Sequence, residues 1–187
     1  MSLRLRFPRR YAHLMARFRV PGGFLLVAAF GWLASPSVLS MATGLPVALG
    51  GLLLRAWAAG HLEKNIRLAT TGPYAWVRNP LYLGTLLTAA GFVIASRRPA
   101  LAVLFALVFA LVYLPAVRLE EEYLLEIFPD FAAYAKKVRP FRPRPPAQAR
   151  AAEFRLNLYM RNEEYQALLG FLAGVAWLTI KLIWLPG

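Results

Sequence analysis

Five apolar stretches restrict what this chain can fold into. They run from Val20 to Ser35, from Val38 to Gly60 with Arg55 as the only charge, from Pro80 to Ser96, from Pro99 to Val117, and from Ala167 to Leu185 with Lys181 as an interruption. Crossing a hydrocarbon core of about 30 Å takes roughly 20 apolar residues in a helix, and the first and third stretches are the shortest of the set. Any single run could be a buried helix of a soluble core. Five of them in 187 residues, 59% hydrophobic and only 17% charged, leave too little polar sequence to cover such a core. The expected fold is an all-α, polytopic integral membrane protein with about five transmembrane helices.

Charge placement sets the expected orientation, because Lys and Arg in short loops favour the cytoplasmic side. Every basic residue except Arg55, Arg97, Arg98 and Lys181 falls in residues 1–19, 61–79 or 118–165, which share one side if the N-terminus is cytoplasmic. All nine acidic residues lie on that same side, so the polar chemistry is expected there and the C-terminus outside. The net charge of +13 flanks the spans instead of clustering on a soluble face, which argues for anionic lipid headgroups over nucleic acid as the partner. The absence of cysteine excludes disulfides, thiolate metal sites, a Cys nucleophile and lipidation at cysteine.

Along the chain, residues 1–19 read as a basic amphipathic segment on the membrane surface and not as a cleavable signal. Residues 20–143 form the expected transmembrane core. Proline recurs through "RPFRPRPPAQAR", so a basic extended linker is expected over 144–150, ahead of a C-terminal segment, 151–187, that holds the last span. No internal repeat is present.

Two polar clusters stand at the ends of spans three and four. In "TTGPYAWVRNPLYLG", residues 70–84, Gly72-Pro73 is a turn signal and Asn79-Pro80 is a helix start, since Asn is favoured at the cap and Pro at the first helical position. Arg78 and Asn79 then sit at a helix N-terminus, whose free N–H groups and positive end suit an anion; snorkelling of Arg78 to lipid headgroups is the plainer alternative. The second cluster, "VRLEEEYLLEIF", returns to the same depth, because about 20 residues from Pro99 to Arg118 rise about 30 Å. Arg78, Asn79 and Tyr82 can therefore meet Glu120, Glu121 and Glu122. Successive residues differ by about 100° around a helix, so the three glutamates cannot share one ligand, and Glu120 is expected to face solvent. Anion-binding groups on one wall and carboxylates on the other match a zwitterion. Tyr74, Trp76, Tyr82, Tyr123, Phe131 and Tyr134 could stack on a base or face a cation.

These motifs resemble those of the isoprenylcysteine carboxyl methyltransferases and the related phospholipid methyltransferases. Gly72-Pro73-Tyr74, Arg78-Asn79-Pro80-Leu81-Tyr82 and Gly84 are similar to the family's Gly-x-Tyr and Arg-His-Pro-x-Tyr pattern. Arg118, Glu121, Glu122 and Leu125 resemble its Arg-x-x-Glu-Glu-x-x-Leu, and Phe128, Phe131, Tyr134, Val138 and Phe141 to Pro143 its aromatic string. Asn79 departs from the family's usual His, although an amide can still donate a hydrogen bond.

The resemblance implies an S-adenosylmethionine-dependent enzyme that releases S-adenosylhomocysteine, with Tyr74, Arg78, Asn79, Pro80, Tyr82, Glu121, Glu122 and Tyr134 binding the cofactor. Arg78 and the helix start would take its carboxylate, and Glu121 and Glu122 its ammonium or ribose hydroxyls. Methyl transfer from a sulfonium is an in-line displacement that calls for no metal, so positioning and electrostatics carry it.

A lipidic acceptor would enter from the bilayer. A carboxylate needs no base whereas an ammonium must first lose a proton, which favours O-methylation over N-methylation here. Arg118 and His61 are the candidate catalytic residues, with interfacial packing the plainer reading of His61. The expected setting is a bacterial or archaeal inner membrane with the site facing the cytoplasm, membrane lipids as partners and homo-oligomerisation left open. A nicotinamide-dependent membrane reductase related to the sterol reductases, or a scaffold with a degenerate site, are the alternatives.

Overall fold

The computed structural model describes residues 8–145 and 153–184, and all regular structure among them is helical. Residues 146–150 of the expected linker lie outside the described residues, as do residues 1–7. Two helices, α1 (Arg9–Arg17) and α2 (Arg19–Leu33), lead into α3 (Val38–Ala59). A loop carrying one 3-10 turn, Gly72–Ala75, precedes α4 (Pro80–Ser96). Next comes a continuous helix built from α5 (Pro99–Val108), a π-helical turn at Phe109–Tyr113 and α6 (Leu114–Ile127). Three more follow: α7 (Phe131–Lys137), α8 (Leu156–Arg161) and α9 (Tyr165–Trp184).

Among the described residues, three helical stretches are long and apolar enough to cross a membrane: α3, the run Pro99–Ile127 and α9. The apolar helices α2 and α4, of 15 and 17 residues, rise only about 22 and 25 Å, short of the core thickness. Past the fourth apolar run, which ends near Val117, the helix continues to Ile127, because Leu119 to Ile127 keep a helical apolar spacing. Its π turn has a local cause. Pro115 has no N–H for the Leu111 carbonyl, and the Tyr11 hydroxyl of α1 donates to that oxygen instead, at 2.8 Å.

The centre of the bundle is the antiparallel pair of α3 and α4. Small residues recur on α3 at Gly44, Ala48 and Gly51, and on α4 at Gly84, Thr88, Gly91 and Ala95, one turn apart on each facing side. A Cβ on Gly44 would strike the Gly91 carbonyl and Ala95, and one on Gly51 would strike Thr88 and the Gly84 carbonyl. On the other helix, a Cβ on Gly84 would strike Arg55 and the Gly51 carbonyl, and one on Gly91 would strike Ala48 and the Gly44 carbonyl. The backbones thus touch along the whole interface, as membrane helices with small residues in register allow.

Hydrogen bonds fix both ends of this pair. At the end away from the polar loops, Ser35 N–H donates to the Ser96 carbonyl at 2.9 Å and Ser40 Oγ to the Ala95 carbonyl at 2.8 Å. At the other end the C-terminal segment closes over α3. Asn162 Nδ2 donates to the carbonyls of Ala59 and Leu62 at 3.0 and 2.9 Å, which ties the C-terminal segment to the end of α3 and the turn after it. Phe154 lies where a side chain on Gly60 would be. Lys181, which interrupts the last span in sequence, donates from Nζ to the carbonyls of Gly31 and Trp32 at 3.1 and 2.8 Å, placing a cation at the negative end of α2.

Replacing Gly91 by Leu is expected to force α3 and α4 apart at a cost of about 3 kcal/mol, the upper range of overpacking. Gly50→Ala, where nothing lies within 4 Å, should leave stability unchanged. Thermal unfolding in detergent distinguishes the two.

Candidate active site

The polar ends of α4 and α6 meet through one carboxylate. Arg78 Nε and Nη2 donate to the two oxygens of Glu121 at 2.8 and 3.1 Å, and Asn79 Nδ2 donates to Oε1 at 2.9 Å. Arg78 Nη1 also donates to the carbonyls of Ala135 at 2.9 Å and Val138 at 3.3 Å, and its guanidinium lies 5.9 Å from the Phe131 ring centre. The chain after α7 is held by backbone bonds: Arg78 N–H to the Arg139 carbonyl at 2.8 Å, Asn79 N–H to Pro140 at 3.1 Å, and Arg144 N–H to Trp76 at 2.9 Å. The prolines after α7 prevent further helix, and this extended strap is docked on residues 76–79.

Asn79 therefore serves Glu121 and makes no side-chain cap of α4. Leu81 and Tyr82, in the first turn of α4, line a cavity of about 240 Å³. Glu120, which accepts from the Tyr82 hydroxyl at 2.8 Å, and the loop residues Glu63, Lys64 and Arg67 line it as well. Tyr74, Phe131 and Tyr134 supply aromatic walls. The volume lies just below the about 300–1,000 Å³ of ordinary small-molecule sites, so a nucleoside-sized group would extend through the cavity's mouth. A lining that combines cationic and hydrogen-bonding side chains, carboxylates and aromatic faces fits a zwitterionic nucleoside cofactor with a sulfonium.

Of the residues singled out in the sequence, Tyr74, Arg78, Asn79, Pro80, Tyr82 and Tyr134 line this cavity. Glu121 stands behind the wall with both oxygens engaged, while Glu122 and Arg118 are not among the lining residues. Glu120, expected to face solvent, is exposed and lies at the cavity's edge, because Tyr82 on α4 reaches that turn of α6. His61 is also absent from the lining. Its Nδ1 donates to the Trp57 carbonyl at 2.8 Å, and its ring occupies the space beside Gly72, whose φ of +56° suits glycine.

The sequence reading missed Arg55 and Glu164, which meet over 109 residues of separation. Arg55 Nε and Nη2 donate to the two Glu164 oxygens at 2.6 and 3.0 Å, and Nη1 donates to Thr85. A lone arginine inside an apolar run was the available signal, since such a charge needs a partner.

Two tyrosines, Tyr74 buried and Tyr134 half-buried, connect these groups. Tyr134 donates its hydroxyl to the Tyr74 carbonyl at 2.7 Å. Burial pushes both phenols well above their ordinary range. Glu120, Tyr134 and Glu164 raise Tyr74 further while Arg55 opposes them; for Tyr134, Arg78 opposes the rise and Glu121 adds to it.

The features so far define a helical membrane protein with a mixed-charge, aromatic-lined cavity at one end of its bundle. The profile of the phospholipid methyltransferase family matches residues 52–130, the stretch that contains both polar clusters. The chain is 39% identical over 92 residues to the cobalt-zinc-cadmium resistance protein CzcN of Cupriavidus metallidurans, covering 48% of this chain and 43% of that protein. It is 37% identical over 92 residues to the nickel-cobalt-cadmium resistance protein NccN of Alcaligenes xylosoxydans xylosoxydans, with the same coverage. With the protein-S-isoprenylcysteine O-methyltransferase of Saccharomyces cerevisiae it shares 32% identity over 118 residues, 53% of this chain and 49% of the yeast protein. The chain thus spans about half the length of the curated relatives it matches, and no solved structure matches it significantly. Residues 52–130 are thus similar to the phospholipid methyltransferases, and about half of the chain is similar to an isoprenylcysteine methyltransferase.

Two outcomes follow from the geometry. Glu121→Gln should destabilise the protein by up to about 3 kcal/mol, because it leaves Arg78 partly buried without its carboxylate; denaturation in mild detergent measures this. The raised phenols hold their contribution fully below about pH 10 and lose it as pH climbs toward the folded values. Alkaline titration by phenolate absorbance should therefore find two of the eight tyrosines un-ionised until the protein unfolds.

Proposed function

We propose that the protein is an S-adenosylmethionine-dependent methyltransferase acting on a lipidic or hydrophobic acceptor at the cytoplasmic face of a bacterial or archaeal inner membrane. The observation that carries this reading is the cavity at the Arg78-Asn79-Pro80-Leu81-Tyr82 motif, lined by the head of α4, by Glu120, Lys64 and Arg67, and by the aromatic side chains of Tyr74, Phe131 and Tyr134. The start of α4 takes the cofactor's carboxylate, aided by Lys64 and Arg67, and Glu120 with Tyr82 takes its ammonium or ribose hydroxyls. Tyr74, Phe131 and Tyr134 hold the adenine. Arg78, Asn79 and Glu121 act as positioning residues that keep the strap and α6 against α4. Residues 20–143 form the catalytic core.

When bound, the cofactor supplies an electrophilic methyl group. The chain's own part is to exclude water and align the acceptor. The Tyr74 and Tyr134 phenols remain protonated at neutral pH, so they donate hydrogen bonds and do not serve as bases. The yeast relative is named as an O-methyltransferase, which supports an oxygen acceptor over an amine.

Calorimetric titration of the detergent-solubilised protein is expected to give saturable binding of S-adenosylmethionine and none of NADPH. Glu120→Gln should weaken that binding about tenfold, the loss of one charge-assisted hydrogen bond. Binding of NADPH alone would replace this reading with a reductase, and binding of neither would leave a scaffold.

A further inference from the structure

The loop between α3 and the turn at Gly72–Ala75 walls the cavity described above through residues 62–65 and 67–69. The C-terminal segment grips the base of this loop. Arg155 N–H donates to the Gly60 carbonyl at 3.1 Å, Phe154 lies where a side chain on Gly60 would be, and Asn162 reaches the carbonyls of Ala59 and Leu62. The Arg155 guanidinium then pairs with the carboxylate of Glu63, 92 positions earlier. Arg155 lies beyond residues 52–130, the stretch similar to the phospholipid methyltransferases.

Resting on the reading above, we propose that Arg155 is a positioning residue that sets the cavity's preference for a carboxylate-bearing cofactor: by holding Glu63 it keeps Lys64 and Arg67 available to that carboxylate.

Three observations support it. The first is the set of charges on the lining, which are Glu63, Lys64, Arg67, Arg78 and Glu120. Arg78 is committed to Glu121, and Glu120 accepts from Tyr82. Among the described residues Lys64 and Arg67 have no ion-pair partner, so they are the lining cations left for an anionic group.

The second is the place of Glu63. The N–H groups of Ile66 and Arg67 donate to the Glu63 carbonyl at 3.2 and 3.3 Å, which closes one turn with Glu63 next to Lys64 and four residues ahead of Arg67. A carboxylate four residues ahead of a cation on a helical turn is in the favourable order for pairing with it. Glu63 is thus the local competitor for the loop's own cations, and Arg155 engages it instead.

The third is exposure. Arg155 is 50% exposed and Glu63 22%, and an ion pair so accessible adds little to stability. The segment is docked by other contacts, among them the buried Leu158, Asn162 and the Arg55–Glu164 pair. Removing the Arg155 side chain therefore changes where the loop's charges are engaged and leaves the segment in place.

The test is calorimetric titration of the full chain in lipid nanodiscs with S-adenosylmethionine and with its decarboxylated analogue, which keeps the nucleoside, the sulfonium and the amine. Arg155→Ala should weaken S-adenosylmethionine about tenfold and the analogue by less than about twofold, the difference being one charge-assisted contact to the carboxylate. Arg155→Lys, which keeps a cation for Glu63, should lose only about threefold. Adding Glu63→Gln to Arg155→Ala should restore the ratio of the two affinities, because no carboxylate then competes for Lys64 and Arg67. That ratio does not depend on the fraction of protein that is folded. Equal weakening of both compounds is the signature of a merely structural brace and would overturn the proposal. An unchanged affinity for S-adenosylmethionine in Arg155→Ala, or a ratio that Glu63→Gln fails to restore, would overturn it too. Each of these outcomes, with S-adenosylmethionine still bound by the unmodified chain, leaves the methyltransferase reading standing. Binding of neither compound by the unmodified chain removes both.

Discussion

Everything at the polar end of this protein depends on how closely α3 and α4 approach. Inside a bilayer there is little hydrophobic gain in bringing two helices together, so contact must come from packing and from backbone polar groups at short range. Gly44, Ala48 and Gly51 on one helix and Gly84, Gly91 and Ala95 on the other remove the side chains that would hold the axes apart. That closeness brings Arg55 alongside Gly84 and sets it against Thr85. It also sets the depth of Asn79 and Pro80, from which the site is built.

Above that pair, the Arg78–Glu121 ion pair joins α4, α6 and the strap after α7 into one unit. A bidentate guanidinium–carboxylate contact constrains orientation as well as distance. Two backbone carbonyls on Arg78 and the Asn79 amide on Glu121 then satisfy most of what the pair buries. Asn79 stands where the pattern it resembles has His, and its amide donates a hydrogen bond to the carboxylate. The glutamate that faces the cavity is its neighbour Glu120, one residue earlier on α6.

Much of this was legible in the chain itself. The apolar runs foretold the helices to within two residues, except at the end of the fourth, since a run bounded by Ser-Pro-Ser, Asn-Pro or Arg-Arg-Pro has few other places to begin or end. Arg78, Asn79 and Tyr82 were correctly brought level with the Glu120–Glu122 turn by counting helical rise alone. Counting could not say which glutamate faces which partner, because a rotation of α6 by one residue exchanges Glu120 for Glu121. The stripe of small residues was readable at four-residue and three-residue spacings, and its meaning comes only with the partner helix.

The sequence by itself determined that this is a helical membrane protein with its polar chemistry gathered at the loops of one end. The reason is that hydrocarbon demands internally satisfied backbone over each apolar run. It also determined the motif residues, whose chemical types are matched to a zwitterionic ligand. Only the tertiary structure decided that Glu164 neutralises Arg55 from 109 positions away, that Asn162 and Lys181 donate to carbonyls at the ends of α3 and α2, and that the C-terminal helix walls a second, apolar cavity. Those contacts depend on where helices remote in sequence cross. That is set by side-chain packing summed over the whole bundle, which no local spacing encodes.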